Sequence, residues 1–533
     1  MAKAGSGNTG QGAAVVVAAR REPAEAGAAI LRAGGNAFDA VAAAGFMEAV
    51  VAPASCGIGG YGASGVAFSA AGKKLVAIDA NAVAPASATP GMFPTIPGRD
   101  PNLYTLPDAR HKSGPLSVAV PGVLGGLLTM LERFGRLDRK TIMAPAIARA
   151  REGVKLTAGQ AQTWLSMEAK AEGRPAPRRG DLPEILPLPT LADTLQAIAE
   201  EGRAVFYSGR IGKAIAAHVS GLGGILSAED MAAYEVLLPE PIRVHVRGHI
   251  LGTPPPTSGG LSSLQMAALI DRLDRSGKVG KFDRSKAYEA LLEVDKVVWS
   301  ERLRALGDPR FLKRDPAELL TDEHIDRLFD QVLRGLERPD HGHVVAPDPL
   351  RGTVHLAAAD AEGNLVAWTQ THGGGFGSGV MVKGTGVVLG HGMCRFEPRT
   401  GWANSVAPGK RPLHNMCPVV VVKDGRAVLA VGAAGGRTIV NNVASVLAAT
   451  IVGCLDPLSA MANPRLQCES SEPAVLERVA GADVFQSLRD RGHAVNEVNR
   501  DAGTAHLIAL AGDGKGWVGV AEPRLAASAT AVV

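Results

Sequence analysis

Residues 352–371 constrain this chain more than any other stretch. The run Gly352-Thr353-Val354-His355-Leu356-Ala357-Ala358-Ala359-Asp360 leads through Ala361-Glu362-Gly363-Asn364 into Leu365-Val366-Ala367-Trp368-Thr369-Gln370-Thr371. It reads as a β-hairpin whose three-residue loop puts Gly363 in left-handed backbone and pairs Asp360 with Asn364. In that register Thr353 lies opposite Thr371, both side chains on one face, with His355 on the same face as Thr353. A one-residue slip destroys the match. If the Gly352–Thr353 bond is cut, Thr353 becomes a terminal residue holding both a hydroxyl nucleophile and an amine base. On pattern alone a half-buried hairpin with incidental threonines is the simpler reading, so the motif needs company.

Length and composition permit either reading. A chain of 533 residues suits two to four ordinary domains or one large assembly, and 46% apolar against 20% charged residues implies a sizeable core. A net charge of +4 and 4% aromatics leave no basic face with stacking platforms, so no nucleic-acid partner is expected. Cys56, Cys394, Cys417, Cys454 and Cys468 form an odd, scattered set without zinc spacing. Buried reduced thiols and a reducing compartment are the expectation. The apolar run Ala13–Ala19 is followed rather than preceded by Arg20-Arg21, unlike a signal peptide. No stretch approaches the roughly 18 apolar residues of a spanning helix. The expected location is therefore cytoplasmic, away from membranes.

The first two-thirds read as helix-rich, with helices at 23–35, 39–51, 124–134, 141–152, 190–200, 213–219, 261–273 and 287–304. Strands are expected at Val66–Ser69 and Leu75–Asp79. Residues 174–181 and 254–260 read as loops. Gly335–Arg351 reads as a mobile connection. From residue 353 the texture turns β-rich, with strands at 353–371, 387–389, 419–422 and 428–431, then a helix at 440–451.

Gly432-Ala433-Ala434-Gly435-Gly436-Arg437 joins a strand to a helix, and its glycines could aim backbone N–H groups at a developing oxyanion. Most such junctions are merely tight turns. Gly57-Ile58-Gly59-Gly60-Tyr61-Gly62 fits G-x-G-x-x-G, but a helix precedes it and a strand follows, the reverse of a dinucleotide site. His355, His372, His391 and His414 cluster in sequence without a metal-ligand spacing or a carboxylate companion, so no metal is expected.

Together and in order, further segments resemble the gamma-glutamyltranspeptidase family of N-terminal nucleophile hydrolases. They include Gly34-Gly35-Asn36-Ala37-Phe38-Asp39-Ala40, Val120-Pro121-Gly122-Val123-Leu124-Gly125-Gly126 and Pro254-Pro255-Pro256-Thr257-Ser258-Gly259-Gly260. Leu306-Gly307-Asp308-Pro309, Phe376-Gly377-Ser378-Gly379, Lys410-Arg411-Pro412-Leu413 and Glu522-Pro523-Arg524 continue the series. The resemblance implies an α+β chain folded as a four-layer αββα sandwich. It implies self-cleavage between Gly352 and Thr353 into a helix-rich large subunit 1–352 and a β-rich small subunit 353–533. Both would stay in one compact heterodimer, with a dimer of heterodimers also open. It further implies Thr353 as nucleophile with its free α-amine as base, Thr371 as its hydrogen-bonding partner, and Gly435 and Gly436 as the oxyanion hole. No metal or organic cofactor is implied.

Departures from the family pattern bear on the substrate, a small amide. Asn81 stands where the family has the arginine that holds the γ-glutamyl α-carboxylate. Gly373 replaces an asparagine, His414-Asn415 replaces a serine pair, and Arg395 replaces the acid that grips the substrate ammonium. A cation facing an ammonium repels it. An arginine there suits an acyl group ending in a carboxylate and lacking the α-amine, as in oxamate-type amidohydrolases and dicarboxylyl-amide acylases. Internal pairing of Arg395 with an acid is the plainer alternative. The expectation is an autoprocessing amidohydrolase with an acyl-Thr353 intermediate. A true γ-glutamyl or other acyl transferase, or an unprocessed homologue without catalysis, are the rivals.

Overall fold

The computed structural model describes residues 8–98, 104–277, 284–337, 352–500 and 503–533. The Thr353 hairpin lies at the centre of a six-stranded antiparallel sheet. Its order is Ala529–Val532, Val15–Ala18, Thr353–Ala359, Leu365–Thr371, Gly62–Ser69 and Lys74–Ala80. A seven-stranded sheet faces it, in the order Thr9–Gly12, Trp517–Val520, Thr504–Leu510, Arg426–Ala434, Val419–Lys423, His249–Thr253 and Ile242–Val246.

Both faces of the Thr353 strand are buried, which is why Leu356-Ala357-Ala358-Ala359 shows no polar alternation. Ala357 and Ala359 point into the inter-sheet core with Val420, Ala430 and Ile508. Leu356 and Ala358 point outward, under the helices Arg21–Arg32, Ala37–Val51 and Val123–Phe134. All fifteen residues of Ala37–Val51 are buried, and a capping box of Asn36 and Asp39 starts it. On the far side the helices Gly260–Ser276, Arg284–Ala305, Asp322–Glu337 and Thr438–Leu447 cover the seven-stranded sheet. The layers run helix, sheet, sheet, helix: the αββα sandwich of the N-terminal nucleophile hydrolases.

A small appendage, residues 466–498, carries the strands Leu466–Gln467, Ala474–Glu477 and Val495–Val498 and the helix Ala482–Asp490. It docks on the helix Arg284–Ala305 through its own core around Leu292, Leu476 and Phe485.

Two expectations need correction. Gly335–Glu337 do not open a loop; they finish the amphipathic helix Asp322–Glu337, and residues 338–351 lie outside the described residues. The chain before 353 is rich in helices and also supplies six strands to the two sheets. The cysteines are all free, but Cys454 is exposed and Cys394 only partly buried. No helix among the described residues is long and apolar enough to cross a membrane.

Candidate active site

The hairpin forms in the register read from the sequence: Thr353 pairs with Thr371, and Gly363 takes φ +92° while Asp360 N–H donates to the Asn364 carbonyl. Thr353 Oγ1 lies 2.9 Å from Thr371 Oγ1. Thr371 Oγ1 also accepts from the Gly373 N–H at 2.7 Å and donates in a short hydrogen bond to the Gly352 carbonyl. A hydroxyl has one proton and two lone pairs. With the proton on Gly352 and one lone pair on Gly373, the remaining lone pair must accept from Thr353. Thr353 is therefore the donor of that bond, and its own lone pairs stay free.

The Gly352 carbonyl oxygen receives a second donor, the Gly373 N–H at 3.3 Å. Two convergent donors on the carbonyl before Thr353 form a small cradle for negative charge. Gly373 is glycine for steric reasons. It sits at φ +100°, and a methyl group there would lie 2.3 Å from His391 Nε2. The asparagine side chain of transpeptidases has no room in this arrangement, and the position contributes its backbone amide instead.

The direction of the strands brings Gly435 and Gly436 to the same end of the sandwich. The His355 ring covers Gly432, where a methyl group would sit 2.1 Å from its Cε1. The other end of the hairpin is fixed by Trp517 Nε1, which donates to the Asp360 carbonyl at 2.9 Å, and Trp517 pairs with Leu510. Leu510 follows Ala509, the cross-strand partner of Leu429. Running from Asp360 to Thr353 thus parallels running from Leu429 to Ala434, so Thr353 lies toward Gly435-Gly436. Both take positive φ, +138° and +69°, between the strand Arg426–Ala434 and the helix Thr438–Leu447.

The glycines Gly57–Gly62 belong to the same site, as spacers rather than phosphate binders. A methyl group on Gly60 would lie 2.7 Å from the Thr371 carbonyl, and one on Gly59 would lie 2.4 Å from the Val388 carbonyl.

Burial keeps the neighbouring histidines neutral. Desolvation, with His391 nearby, pulls His372 down to about 3. Desolvation holds His355 well below its usual range, and its Nδ1 meets Thr369 Oγ1 at 2.8 Å. His414 is held well below by desolvation and by the charges of Arg302, Arg395 and Arg411. Arg395, on the turn Gly392–Arg395, therefore contributes to a positive field at His414.

Asn81 requires a correction. It is fully buried, and its Nδ2 donates to Thr257 Oγ1 at 2.7 Å and to the Pro412 carbonyl at 2.6 Å. Both amide protons are consumed inside the protein, so Asn81 braces two loops rather than offering a donor to a ligand. Asn415 Oδ1 accepts from Arg302 Nη2 at 3.1 Å, and the His414 carbonyl accepts from the same nitrogen at 2.6 Å. Arg302 is the residue that sequence reasoning missed. The available signal was position: it continues the i, i+4 stripe Ala290, Val294, Val298 on the buried face of its helix.

Among the described residues, one group has the chemistry of a metal site: Glu293, Glu472 and His493. Lys296 Nζ already stands 2.8 Å from Glu293 and 3.0 Å from Glu472, and supplies the positive charge a metal would bring.

The gamma-glutamyltranspeptidase family model matches residues 23–532. The chain belongs to that family. An acylase ACY 1 proenzyme from Pseudomonas sp. (strain V22) is 33% identical over 499 residues, covering 92% of this chain and 88% of the relative. A glutathione hydrolase proenzyme from Bacillus subtilis (strain 168) is 32% identical over 526 residues, covering 93% and 88%. Among solved structures, a cephalosporin acylase from Bacillus halodurans superposes with a TM-score of 0.82 at 28% identity, covering 98% of this chain and 96% of that one. This family member is an enzyme of the acylase and hydrolase type.

Proposed function

We propose that this family member is an autoprocessing amidohydrolase with Thr353 as its nucleophile. The observation that carries the reading is the saturated Thr371 hydroxyl, which makes Thr353 a donor with free lone pairs beside a carbonyl already held by two donors. Thr353 Oγ attacks the Gly352 carbonyl carbon, and the C–N bond breaks. The hydroxyl proton passes to the departing nitrogen, which becomes the free α-amine, and the acyl group sits on Oγ as an ester. Water hydrolyses that ester, leaving Gly352 with a carboxylate and Thr353 at a new terminus. The α-amine, with an ordinary pKa of about 7.7–8.0, then serves as base for attack on a substrate amide. The leaving amine departs, and water releases the acid from acyl-Thr353. Gly435 and Gly436 offer backbone donors for the substrate oxyanion. Relatives described as proenzymes support a processed heterodimer.

The acyl group, on this reading, ends in a carboxylate and carries no α-amine. Overall identity is nearly equal to acylases and glutathione hydrolases, so it favours neither head group. The site residues favour the first: Arg395 where an ammonium would need an anion, and an Asn81 with no donor left for an α-carboxylate. Kinetics on the purified enzyme with glutaryl- and γ-glutamyl-p-nitroanilide test this. A higher kcat/KM for the glutaryl compound is expected; efficient turnover of the γ-glutamyl compound would overturn the head-group assignment.

A further inference from the structure

Arg302 is 1% exposed, yet its guanidinium meets no carboxylate among the described residues. Nη2 is held by the His414 carbonyl and Asn415 Oδ1, and Trp299 lies under the guanidinium at 5.6 Å. Nη1 is buried and has no partner. Desolvation, with the charge of Arg437 acting in the same direction, lowers its pKa to about 10, so it is still a cation at neutral pH. Chains seldom bury a charge without a counter-charge, because the desolvation penalty is then uncompensated.

A second orphan lies beside it. His414 is 1% exposed, and its Nδ1 is buried without a partner. By contrast Arg411, the neighbouring buried arginine, is closed by Asp79 at 3.4 Å.

The segment carrying these groups runs through the site. Met416 Cε lies 3.4 Å from where a methyl group on Gly62 would be, and Gly62 is the cross-strand partner of Thr371. On its other side, the Asn415 carbonyl and Val440 Cγ2 both flank Gly259. Val440 sits in the first turn of the helix that follows Gly435-Gly436.

We propose that Arg302 is the anion receptor of the acyl pocket. Its Nη1, with His414 Nδ1 and the Asn415 amide, binds the terminal carboxylate of a dicarboxylic acid monoamide. This rests on the acyl-group reading above and names the residues that enforce it. His414 in its Nδ1–H tautomer donates alongside the guanidinium, and Asn415, whose oxygen is turned to Arg302, leaves its NH2 as a third donor. Arg395 adds positive field without being the primary contact.

The test compares glutaryl-p-nitroanilide with its uncharged isostere glutaramoyl-p-nitroanilide and with the γ-glutamyl compound, using the processed enzyme. In Arg302→Gln the glutaryl-to-glutaramoyl ratio of kcat/KM should fall about tenfold or more, chiefly through KM. Arg302→Lys should retain part of that ratio. Asn415→Asp places a carboxylate where Oδ1 now accepts, closing the guanidinium internally, so it should lower the ratio while the chain still folds. It carries the test if Arg302→Gln does not fold. Equal losses on charged and uncharged substrates would overturn the proposal and leave the acyl-group reading standing. A wild-type preference for the γ-glutamyl compound would overturn that reading, and this proposal with it.

Discussion

Two parts of this molecule bury ionisable groups, and they treat them in opposite ways. Where the 466–498 appendage docks on the helix Arg284–Ala305, the carboxylates of Glu289, Glu293 and Glu472 face Lys296, Arg491 and His493. Every charge there has an opposite charge in the protein. Burial works against the charge on His493, but hydrogen bonds to Glu289 and Glu472, with the charges of Glu472 and Glu293, raise it to about 9. On the other side of the contrast, His355, His372 and His414 are held neutral by burial, Arg302 meets no carboxylate among the described residues, and ring nitrogens of these three histidines are unpartnered. The difference separates structure from function. A closed charge cluster holds two elements together; on the reading proposed above, an open polar site keeps donors available for a ligand.

The largest expected effect comes from breaking the closed cluster. Lys296→Met leaves Glu293 and Glu472 buried without their cation and should cost about 3–5 kcal/mol of stability by denaturant unfolding. Whatever protein folds should still turn over substrate normally. A loss of activity in folded protein would blur the distinction between the two regions.

The converse change is Thr371→Val, nearly isosteric but without the hydroxyl. It removes one of two donors on the Gly352 carbonyl, so cleavage at Gly352–Thr353 should slow by about 100- to 1000-fold. Stability should change by only about 1 kcal/mol. Thr371→Ser should restore most of the rate, read by gel densitometry against time. Cleavage at the wild-type rate in Thr371→Val would remove Thr371 from the mechanism.

The smallest effect sharpens the contrast through pH. His493 has a folded pKa above its ordinary 6.5, so its stabilisation is complete below 6.5 and is lost as pH rises through about 9. His372 has a folded pKa near 3, so its contribution is complete above 6.5 and is lost as pH falls toward 3. Thermal melts should therefore weaken on both flanks. His493→Gln should flatten the alkaline flank only; flattening of the acid flank as well would show that the two regions are coupled.

The hairpin was legible in the sequence because its information is local. The short loop and its left-handed glycine fix the turn, and with it the register and the faces. The helices around residues 37–51, 123–134 and 260–276 were legible for the same reason. The short strands Thr9–Gly12, Val15–Ala18, Trp517–Val520 and Ala529–Val532 were not, since four residues carry little pattern and Val15 pairs with Val532, at the other end of the chain. Ile242–Val246 and His249–Thr253 went unread although Arg247-Gly248, both at positive φ, mark a tight hairpin between alternating residues. The order of motifs singled out Thr353, Thr371, Gly435 and Gly436, and the structure pairs the two threonines and gives both glycines positive φ. Asn81 could not, because position along the chain does not reveal that Thr257 and Pro412 consume its protons. Arg302 was hidden because a buried cation looks, in sequence, like any other arginine on a helix.

The claim that Thr353 is the nucleophile of its own release is tested most directly by intact-mass spectrometry of the purified protein. Two polypeptides are expected, one ending at Gly352 and one beginning at Thr353, with Thr353→Ala remaining a single chain of 533 residues. A wild-type protein that stays whole under conditions where it is active, or a Thr353→Ala variant that still splits at the same bond, would contradict the account.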